Sequence, residues 1–215
     1  MTRFNRFSPL AAATLCVAMS MTAGLALAAD TTVSADQILS ALKPKPLTRG
    51  LSMAPAQQTD ASVQSREVSF IASVRNRKSR SLSLGEREQI AEIAATKPKI
   101  DLEIQFDYNS ANISKTSLTA VQELGKALSN PGLKGSTFVV AGHTDAVGSE
   151  PYNLDLSERR ADTIKRYLVE KYGLAGSDLV TVGYGETKLK EAGNPTAAIN
   201  RRVQVVNMDT KTASQ

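Results

Sequence analysis

An acidic and a basic side chain, Asp145 and Arg160, flank a tight turn and a helix start in the run from Gly142 to Leu168. A carboxylate accepts hydrogen bonds from an ammonium group, and a guanidinium can pair with both oxygens of a carboxylate. The turn ends at Gly148, because glycine adopts backbone conformations that strain other residues. A helix begins near Pro151, since proline is tolerated in the first helical turn. The pair therefore suits a ligand that carries both an ammonium and a carboxylate.

Helical geometry distinguishes the two adjacent arginines of this run. At about 100° per residue, the apolar side chains of the helix form one stripe: Leu154, Ala161, Ile164 and Leu168. Arg159 lies roughly opposite this stripe, whereas Arg160 lies at its edge, where its stem can pack while the guanidinium reaches a groove. We therefore expect Arg159 to be solvated and Arg160 to be the binding residue. A plain ion pair of Arg160 with Asp145 or Glu158 is the competing interpretation.

Two further polar residues share a helix face with this arginine. Asn153, Ser157 and Arg160 follow the spacing i, i+4, i+7, which places them together beside the turn. Asn153 is expected to make a neutral polar contact with a ligand. The alternative role for Asn153, equally open from the sequence, is that of a helix cap or turn stabiliser.

The same run contains the residue types of a hydrolytic triad in His143, Asp145 and Ser157. No nucleophile elbow surrounds Ser157, and a serine on a helix face lacks the strained exposure that activates such a nucleophile. A metal site is not expected, because the chain has one histidine and one cysteine. The sequence therefore favours a binding protein over an enzyme, with no cofactor and no metal.

Three ordered blocks resemble one known family. The pattern TD..G...YN..LS..RA at residues 144–161, the block IQFDYNSANI at 104–113 and the block NRRVQV at 200–205 are similar to the OmpA-like C-terminal domain family of non-covalent peptidoglycan binders. The resemblance covers residues 100–208. It implies that the ligand is the free end of meso-diaminopimelate in the peptidoglycan stem peptide, with Asp145 receiving the ammonium and Arg160 the carboxylate.

The resemblance also implies the remaining members of the site. They are Asn153, Thr144, Asp107, Ser110 and Arg202. Asp107 serves equally well as a stabiliser of its own turn. The family pattern favours Arg202 at the pocket rim, yet one of Arg201 and Arg202 must point away, and the sequence does not decide which. The preceding segment, residues 194–200, is short and lacks the family's usual glycine-arginine pair.

From residue 100 onward the elements alternate regularly. Strands are predicted at 100–106, 138–141, 179–182 and 203–206, and helices at 118–128 and 152–172. The first strand would carry Ile100, Leu102, Ile104 and Phe106 on one face. The order βαβαββ predicts an α/β fold, a two-layer sandwich with a mixed sheet, preceded by a largely flexible N-terminal arm.

The first 29 residues have the form of a secretory signal peptide. Arg3 and Arg6 precede an apolar stretch that ends in small residues before Asp30. Cys16, the only cysteine, lies inside this stretch after Leu15, which does not resemble a lipidation site. We therefore expect export to the periplasm, with outer-membrane association through another component.

Residues 30–99 are expected to form a basic linker or docking arm. They contain 11 Lys or Arg and 7 Asp or Glu, whereas residues 100–215 contain 13 and 14. Short helices are predicted at 35–42 and 85–96, and residues 51–65 are predicted to be disordered. Because the C-terminal domain is nearly neutral and aromatic residues make up 5% of the chain, nucleic acid is not an expected partner.

These observations lead to one functional expectation and one alternative. The domain at 100–208 would bind peptidoglycan and tether the envelope to the wall, while residues 30–99 dock an outer-membrane or periplasmic protein. Residues 209–215 would be a tail. Alternatively, the protein is a periplasmic protein-protein adaptor with little affinity for the wall.

Overall fold

The computed structural model describes residues 33–44, 61–75, 82–107 and 110–209. The signal peptide, Cys16 and most of the predicted tail lie outside these residues. Five helices and four strands occur in the described part in this order: α1 (Ala35–Leu42), α2 (Ala61–Arg75), α3 (Leu84–Ala95), β1 (Lys99–Leu102), α4 (Leu118–Leu128), β2 (Phe138–His143), α5 (Glu150–Tyr172), β3 (Leu179–Gly185) and β4 (Val203–Asn207). None of the helices within these ranges is long and apolar enough to span a membrane.

The four strands form one mixed sheet in the order β1-β4-β2-β3. β2 and β3 run parallel, with α5 as the crossover, and β4 lies antiparallel to both β1 and β2. From β1 onward the element order is βαβαββ, so the predicted fold class and sheet type are confirmed.

Alternation along the strands sends apolar side chains to two buried faces. On the first face, Val140, Val203 and Val205 pack with α1, α4 and α5. On the second face, Val139, Ala141 and Val206 pack with α2 and α3. β2 is buried at all six positions, as expected of a strand covered on both sides. The two-layer sandwich is therefore extended by a third layer, which α2 and α3 add on the second face.

The predicted helix at 35–42 is confirmed, and it packs into the core of the domain. Ser34 caps α1 by accepting from the Gln37 amide, and the Gln37 side chain accepts from the Ser34 amide. Ile38 and Leu42 are fully buried in the first-face core. The expected arm thus contributes core here, because a short amphipathic helix gains stability by burying its apolar face against an existing layer.

At α2 and α3 the structure differs from two expectations for the linker. Residues 61–65, within the stretch expected to be disordered, form the first turns of α2, and residues 51–60 lie outside the described residues. α3 begins one residue earlier than predicted, because Ser83 and Glu86 form a capping box. Five apolar side chains of these helices are buried on the second face: Ile71, Val74, Ile90, Ile93 and Ala94. Packing on the sheet thus stabilises helices whose own sequences are only weakly amphipathic.

β1 is shorter than predicted, since it ends at Leu102 rather than residue 106. Ile104 is still buried in the first-face core. Phe106 forms an isolated bridge with Ile113, which folds the chain back on itself. The Gln105 amide donates to Ser117 Oγ at 2.8 Å instead of to a neighbouring strand. The loop therefore takes over the hydrogen bonds that would have continued the sheet.

His143 ends β2 on the second face and is 4% exposed. Its ring stacks on Tyr184, with 5.3 Å between the ring centroids. Burial and, to a smaller extent, nearby Arg202 lower the pKa of His143 to about 3, while Asp101 and the Lys188 backbone act in the opposite direction. The imidazole therefore stays neutral in the folded protein.

We predict that Leu42→Ala lowers the free energy of unfolding by about 2–5 kcal/mol, because it opens a cavity in the core. Leu84→Ala is the matched control, since Leu84 is 70% exposed at the start of α3; its effect should stay within about 0.5 kcal/mol. Urea denaturation measures both. Equal, small effects for the two variants would contradict the packing of α1 as an integral part of the domain.

We also predict a pH dependence that originates in His143. In the unfolded chain the imidazole pKa is near 6.5, and in the folded protein it is about 3. The unfolded state therefore binds an extra proton between these values, and the stability contribution falls by up to about 1.4 kcal/mol per unit as pH decreases from 6.5. His143→Gln should show a correspondingly shallower slope in denaturation experiments. An imidazole that titrates near pH 6.5 in NMR spectra of the folded protein would contradict this prediction.

Candidate functional site

The turn that carries Asp145 connects the end of β2 to the start of α5. The Thr144 amide donates to the Gly185 carbonyl at 2.9 Å, which fixes the turn to the end of β3. Gly148 has φ of 113°, a conformation that side chains disfavour, so the glycine at this turn position is explained. Pro151 lies in the first turn of α5, as predicted. Asp145 therefore stands at the junction of the sheet and the helix, with only 9% of its surface exposed.

Asp145 forms an ion pair with Arg201. The Arg201 Nη1 donates to Asp145 Oδ2 at 2.6 Å, and the Asp145 side chain is 13% exposed while that of Arg201 is 49% exposed. The other carboxylate oxygen accepts from the Val147 amide at 3.4 Å. The carboxylate is thus mostly buried, while the Arg201 side chain that pairs with it is half exposed.

Arg202, the arginine expected at the pocket rim, points to the other side of the sheet. Its Nε lies 3.4 Å from Asp101 Oδ1, and its Nη2 donates to the Lys188 carbonyl at 3.2 Å. Arg201, not Arg202, therefore borders the site. Alternation along the chain accounts for this once the sheet faces are known: Arg201 shares its parity with Val203 and Val205, which face α5.

Arg160 is half-buried and lies near Asp145 without forming an ion pair with it. Its Nε donates to the Ser110 carbonyl at 3.2 Å, and its guanidinium carbon lies 4.8 Å from the centre of the Phe106 ring. Burial lowers the pKa of Arg160, while Tyr152 and Asp145 favour the charged form. Cation–π contact and one hydrogen bond thus fix the guanidinium.

The competing interpretation of Arg160 as a plain ion pair does not describe this structure. Glu158 pairs with Arg87 at 3.3 Å instead. Arg159 is exposed and pairs with Asp155 at 2.8 Å one turn away, which confirms its prediction as a solvated residue. The structure therefore confirms that Arg159 is the more exposed of the two arginines, and the role of Arg160 in binding stays a prediction.

Asn153 holds the turn together. Its side-chain amide donates to the carbonyls of Asp145 and Val147 at 3.3 and 3.2 Å, and also to Glu186. Asn153 is 2% exposed, so of its two possible roles the structure displays that of a turn stabiliser. Glu186 follows directly after β3, and nothing in its local sequence signalled this contact.

The remaining expected residues, Ser110, Asp107 and Thr144, differ in the contacts that they make. Ser110 borders Arg160 through its carbonyl, and its amide donates to the Asp107 carbonyl at 3.1 Å. Asp107 is exposed, and its own amide donates to Asn112. Thr144 is 2% exposed, and its hydroxyl makes no hydrogen bond to the part of the chain that the structure describes.

Ser157 has a structural role. Its hydroxyl donates to the Leu154 carbonyl at 2.8 Å and accepts from the Gly185 amide at 2.8 Å. The hydrogen bond from Gly185 joins α5 to β3, whereas the one to Leu154 lies within α5, and Ser157 is fully buried. Among the described residues, no group of histidine, cysteine and acidic side chains is arranged to hold a metal ion.

The segment before Arg201 is positioned by Asn200, which is fully buried. Its Oδ1 accepts from the amides of Lys190 and Glu191, both at 2.9 Å. Its Nδ2 donates to the carbonyls of Asn194 and Pro195. The Pro195 carbonyl in turn accepts from the Ala146 amide at 3.0 Å. One asparagine therefore joins this loop to the turn that carries Asp145.

Part of this chain is similar in sequence to known outer-membrane proteins. Outer membrane porin F of Pseudomonas aeruginosa is 38% identical over 109 residues, covering 49% of this chain and 30% of the relative. Outer membrane protein A of Escherichia fergusonii is 32% identical over 105 residues, covering 49% and 42%. The chain thus spans less than half the length of these curated relatives.

Among solved structures, the peptidoglycan-associated lipoprotein from Burkholderia pseudomallei is 23% identical to the matched part of this chain, with a TM-score of 0.40. The match covers 53% of this chain and 92% of that chain. The cell wall anchor of the T6SS from Pseudomonas aeruginosa has 24% identity and a TM-score of 0.41, with 52% and 81% covered. The OmpA family model matches residues 105–202, which include Asp145, Arg160 and Arg201. Residues 105–202 of this chain are a domain of the OmpA family.

Proposed function

We propose that this protein binds peptidoglycan non-covalently through the free end of meso-diaminopimelate in the stem peptide. The OmpA family domain at residues 105–202 supports peptidoglycan as the polymer. The single observation that carries the choice of ligand group is the neighbouring placement of Asp145 and Arg160, an anion and a cation that are not paired with each other. A ligand end with one ammonium and one carboxylate is complementary to this arrangement.

The ammonium would bind at Asp145. In the ligand-free chain, Arg201 occupies one of the carboxylate oxygens. Because Arg201 is half exposed, its side chain can move aside or share the carboxylate at little cost. The turn itself stays in place, since Asn153 holds the Asp145 and Val147 carbonyls. Binding therefore replaces one charge-assisted hydrogen bond by another on a preformed carboxylate.

The carboxylate would bind at Arg160. The Arg160 guanidinium packs on the Phe106 ring, and its Nε donates to the Ser110 carbonyl. The terminal nitrogens of Arg160 would therefore bind the ligand. A fixed guanidinium loses less side-chain entropy on binding than a free one.

The region before residue 100 is proposed to link this domain to an envelope partner. α1, α2 and α3 pack on the domain, and they leave three large apolar side chains exposed, Val63, Val68 and Leu84. With the predicted signal peptide, this arrangement supports a periplasmic location in which the domain holds the wall and the N-terminal region contacts an outer-membrane or periplasmic protein.

We predict that Asp145→Ala and Arg160→Ala each reduce co-sedimentation with insoluble peptidoglycan about tenfold or more, because each removes a charge-assisted contact worth about 1.5–3 kcal/mol. Arg159→Ala is the matched control: it removes an adjacent arginine that pairs only with Asp155 among the described residues, and its binding should equal the wild type. Circular dichroism checks that the variants fold.

The outcomes separate the two functional candidates. Equal sedimentation of all four folded proteins would contradict the site assignment. A folded wild type that does not sediment would contradict peptidoglycan binding and favour the periplasmic protein-protein adaptor.

We further predict that free meso-diaminopimelate competes with the polymer, whereas cadaverine does not. Cadaverine has an ammonium at each end and no carboxylate, so the Arg160 guanidinium would remain unpaired. A site built for a charged group rejects an analogue that lacks it, and we expect a difference of at least about tenfold in the competing concentration. Equal competition by the two compounds would show that the site does not recognise the carboxylate.

A further inference from the structure

A slot of about 450 Å³ lies along the outer edge of β3, between α2 and the second half of α5. The start of β3, from Leu179 to Thr181, borders it. On the side of the second face, Val74 and Leu82 form an apolar wall. On the side of the first face, α5 forms a polar wall. None of the residues that line the slot belongs to the proposed peptidoglycan site.

The backbone of β3 has an open side at this slot. Among the described strands, β3 is the last in the sheet order and pairs with β2 alone. Within the described part of the chain, the amides and carbonyls of residues 179–183 make no hydrogen bond outside that pairing. An edge strand presents such groups as a row of donors and acceptors on which another strand can pair. An occupant of the slot can therefore gain main-chain hydrogen bonds along β3.

The side chains of β3 alternate between the two walls. Leu179 packs in the first-face core and Thr181 bonds to α5, whereas Val180 packs in the second-face core. A strand added beside β3 would continue this alternation, because paired strands share one pleat. Its side chains would point in turn to the apolar wall and to the polar wall. The slot therefore suits a segment with an apolar residue at every second position.

The charges of the polar wall change sign along β3. Asp162 lies beside Thr181, whose hydroxyl donates to it at 2.7 Å. Because α5 connects two parallel strands, it runs antiparallel to β3, and its later residues lie nearer to the start of β3. There the wall contains Lys165, Arg166 and Glu170, with one more positive than negative charge. A segment with a base near Asp162 and an acid near Arg166 is complementary to this wall.

The recessed position of the edge excludes the sheet edge of a second copy. α2 and α5 border the slot on opposite sides, with Arg75 on one rim and Arg166 on the other. Arg75 pairs with Asp178, which ties the end of α2 to the turn before β3. Paired strands lie about 4.8 Å apart, whereas a helix is about 10 Å wide. The helices of two copies would therefore collide before their β3 strands could pair.

We propose that the slot binds an extended segment of an envelope protein as a fifth strand of the sheet. The backbone of the segment pairs with β3, and its apolar side chains pack on Val74 and Leu82. On its polar side it carries a base and an acid two residues apart. The slot gives the chemistry of the envelope contact proposed for the N-terminal region, and its assignment to an envelope protein rests on that proposal. It does not depend on wall binding, since the two sites share no residue.

The probe is the acetylated and amidated peptide Thr-Val-Lys-Val-Glu-Val-Thr, titrated into ¹⁵N-labelled protein and followed by NMR. We expect saturable shifts at residues 74–75, 162–170 and 179–183, with a dissociation constant below about 1 mM. The same residues in the order Val-Val-Val-Lys-Glu-Thr-Thr lose the alternation and should bind at least about tenfold more weakly.

Two N-methylated analogues test the pairing of the backbone. One is methylated at the valines, and the other at the lysine and the glutamate, so each blocks the amides of one edge of the peptide. Only the edge that faces β3 matters, and we expect one analogue to bind at least about tenfold more weakly while the other binds like the parent peptide.

Amide hydrogen exchange tests whether the edge is open in the free protein. Amides of residues 179–183 that point away from β2 should exchange rapidly without the peptide and become protected with it. Protection in dilute free protein would mean that the chain itself already fills the slot. Protection that rises with protein concentration would mean that a second copy does so.

Two variants with matched controls test the walls. Val169→Trp fills the slot from α5 and should abolish the saturable shifts, whereas Val68→Trp, on an exposed part of α2 outside the slot, should not. Arg166→Gln removes one charge of the polar wall and should weaken binding about threefold or more, while Lys171→Gln, exposed on the same helix, should have no effect. Melting temperatures verify that the variants fold.

Several results would overturn the proposal. They are the absence of saturable shifts, equal binding of the parent peptide and both methylated analogues, unchanged binding in folded Val169→Trp, and protection of the outward amides before the peptide is added. Asp145→Ala should bind the peptide like the wild type. A protein that fails to sediment with peptidoglycan but binds the peptide would contradict the wall function and leave this slot assigned.

Discussion

The close approach of α5 to the ends of β2 and β3 is the constraint on which the site depends. A β-carbon on Gly142 would lie 2.2 Å from the Ser157 carbonyl oxygen, and one on Gly183 would lie 2.7 Å from the Glu158 nitrogen. Only glycine permits this backbone contact. Ser157 completes it by accepting from the Gly185 amide. The helix is thereby held against the strand ends, and the turn between β2 and α5 can be short.

This packing brings charges together that the chain separates. Asp145 lies in the turn after β2, and Arg160 lies nearly three helical turns along α5. Arg201 lies in the loop before β4. Each charge is held by different neighbours: Asp145 by Arg201 and the turn amide, and Arg160 by Phe106 and Ser110. Because these contacts are made within the chain itself, the proposed binding would require little rearrangement of the backbone.

The sheet also shows how an appended segment becomes part of a domain. The second face of β2, β3 and β4 is apolar, and leaving such a face exposed to water would be unfavourable. α2 and α3 cover it, while α1 fills the edge of the first-face core beside α4. The Asn207 side chain donates to the Leu42 carbonyl at 3.0 Å and so ties the end of α1 to β4. The domain and its N-terminal helices therefore share one pair of cores.

Much of the architecture was predictable from the sequence, because local periodicity specifies which residues need burial. Patterns within a few residues of one another predict the order βαβαββ, the mixed sheet and the helices α1, α4 and α5. They also place Arg159, rather than Arg160, on the solvated side of α5. Two features were not predictable from local patterns. The helix at residues 61–75 depends on its packing against the sheet, and β1 ends early because Gln105 donates to Ser117 instead of to a strand.

For the candidate site, the sequence by itself determined the residue types and the helix face that Asn153 and Arg160 share, beside the turn that carries Asp145. Only the tertiary structure decided that Arg201 rather than Arg202 meets Asp145, that Glu186 bonds Asn153, and that Phe106 lies under Arg160. These contacts join residues 33 to 56 positions apart along the chain. Their geometry depends on strand pairing and on the position of α5 against the sheet, and no local pattern encodes either one.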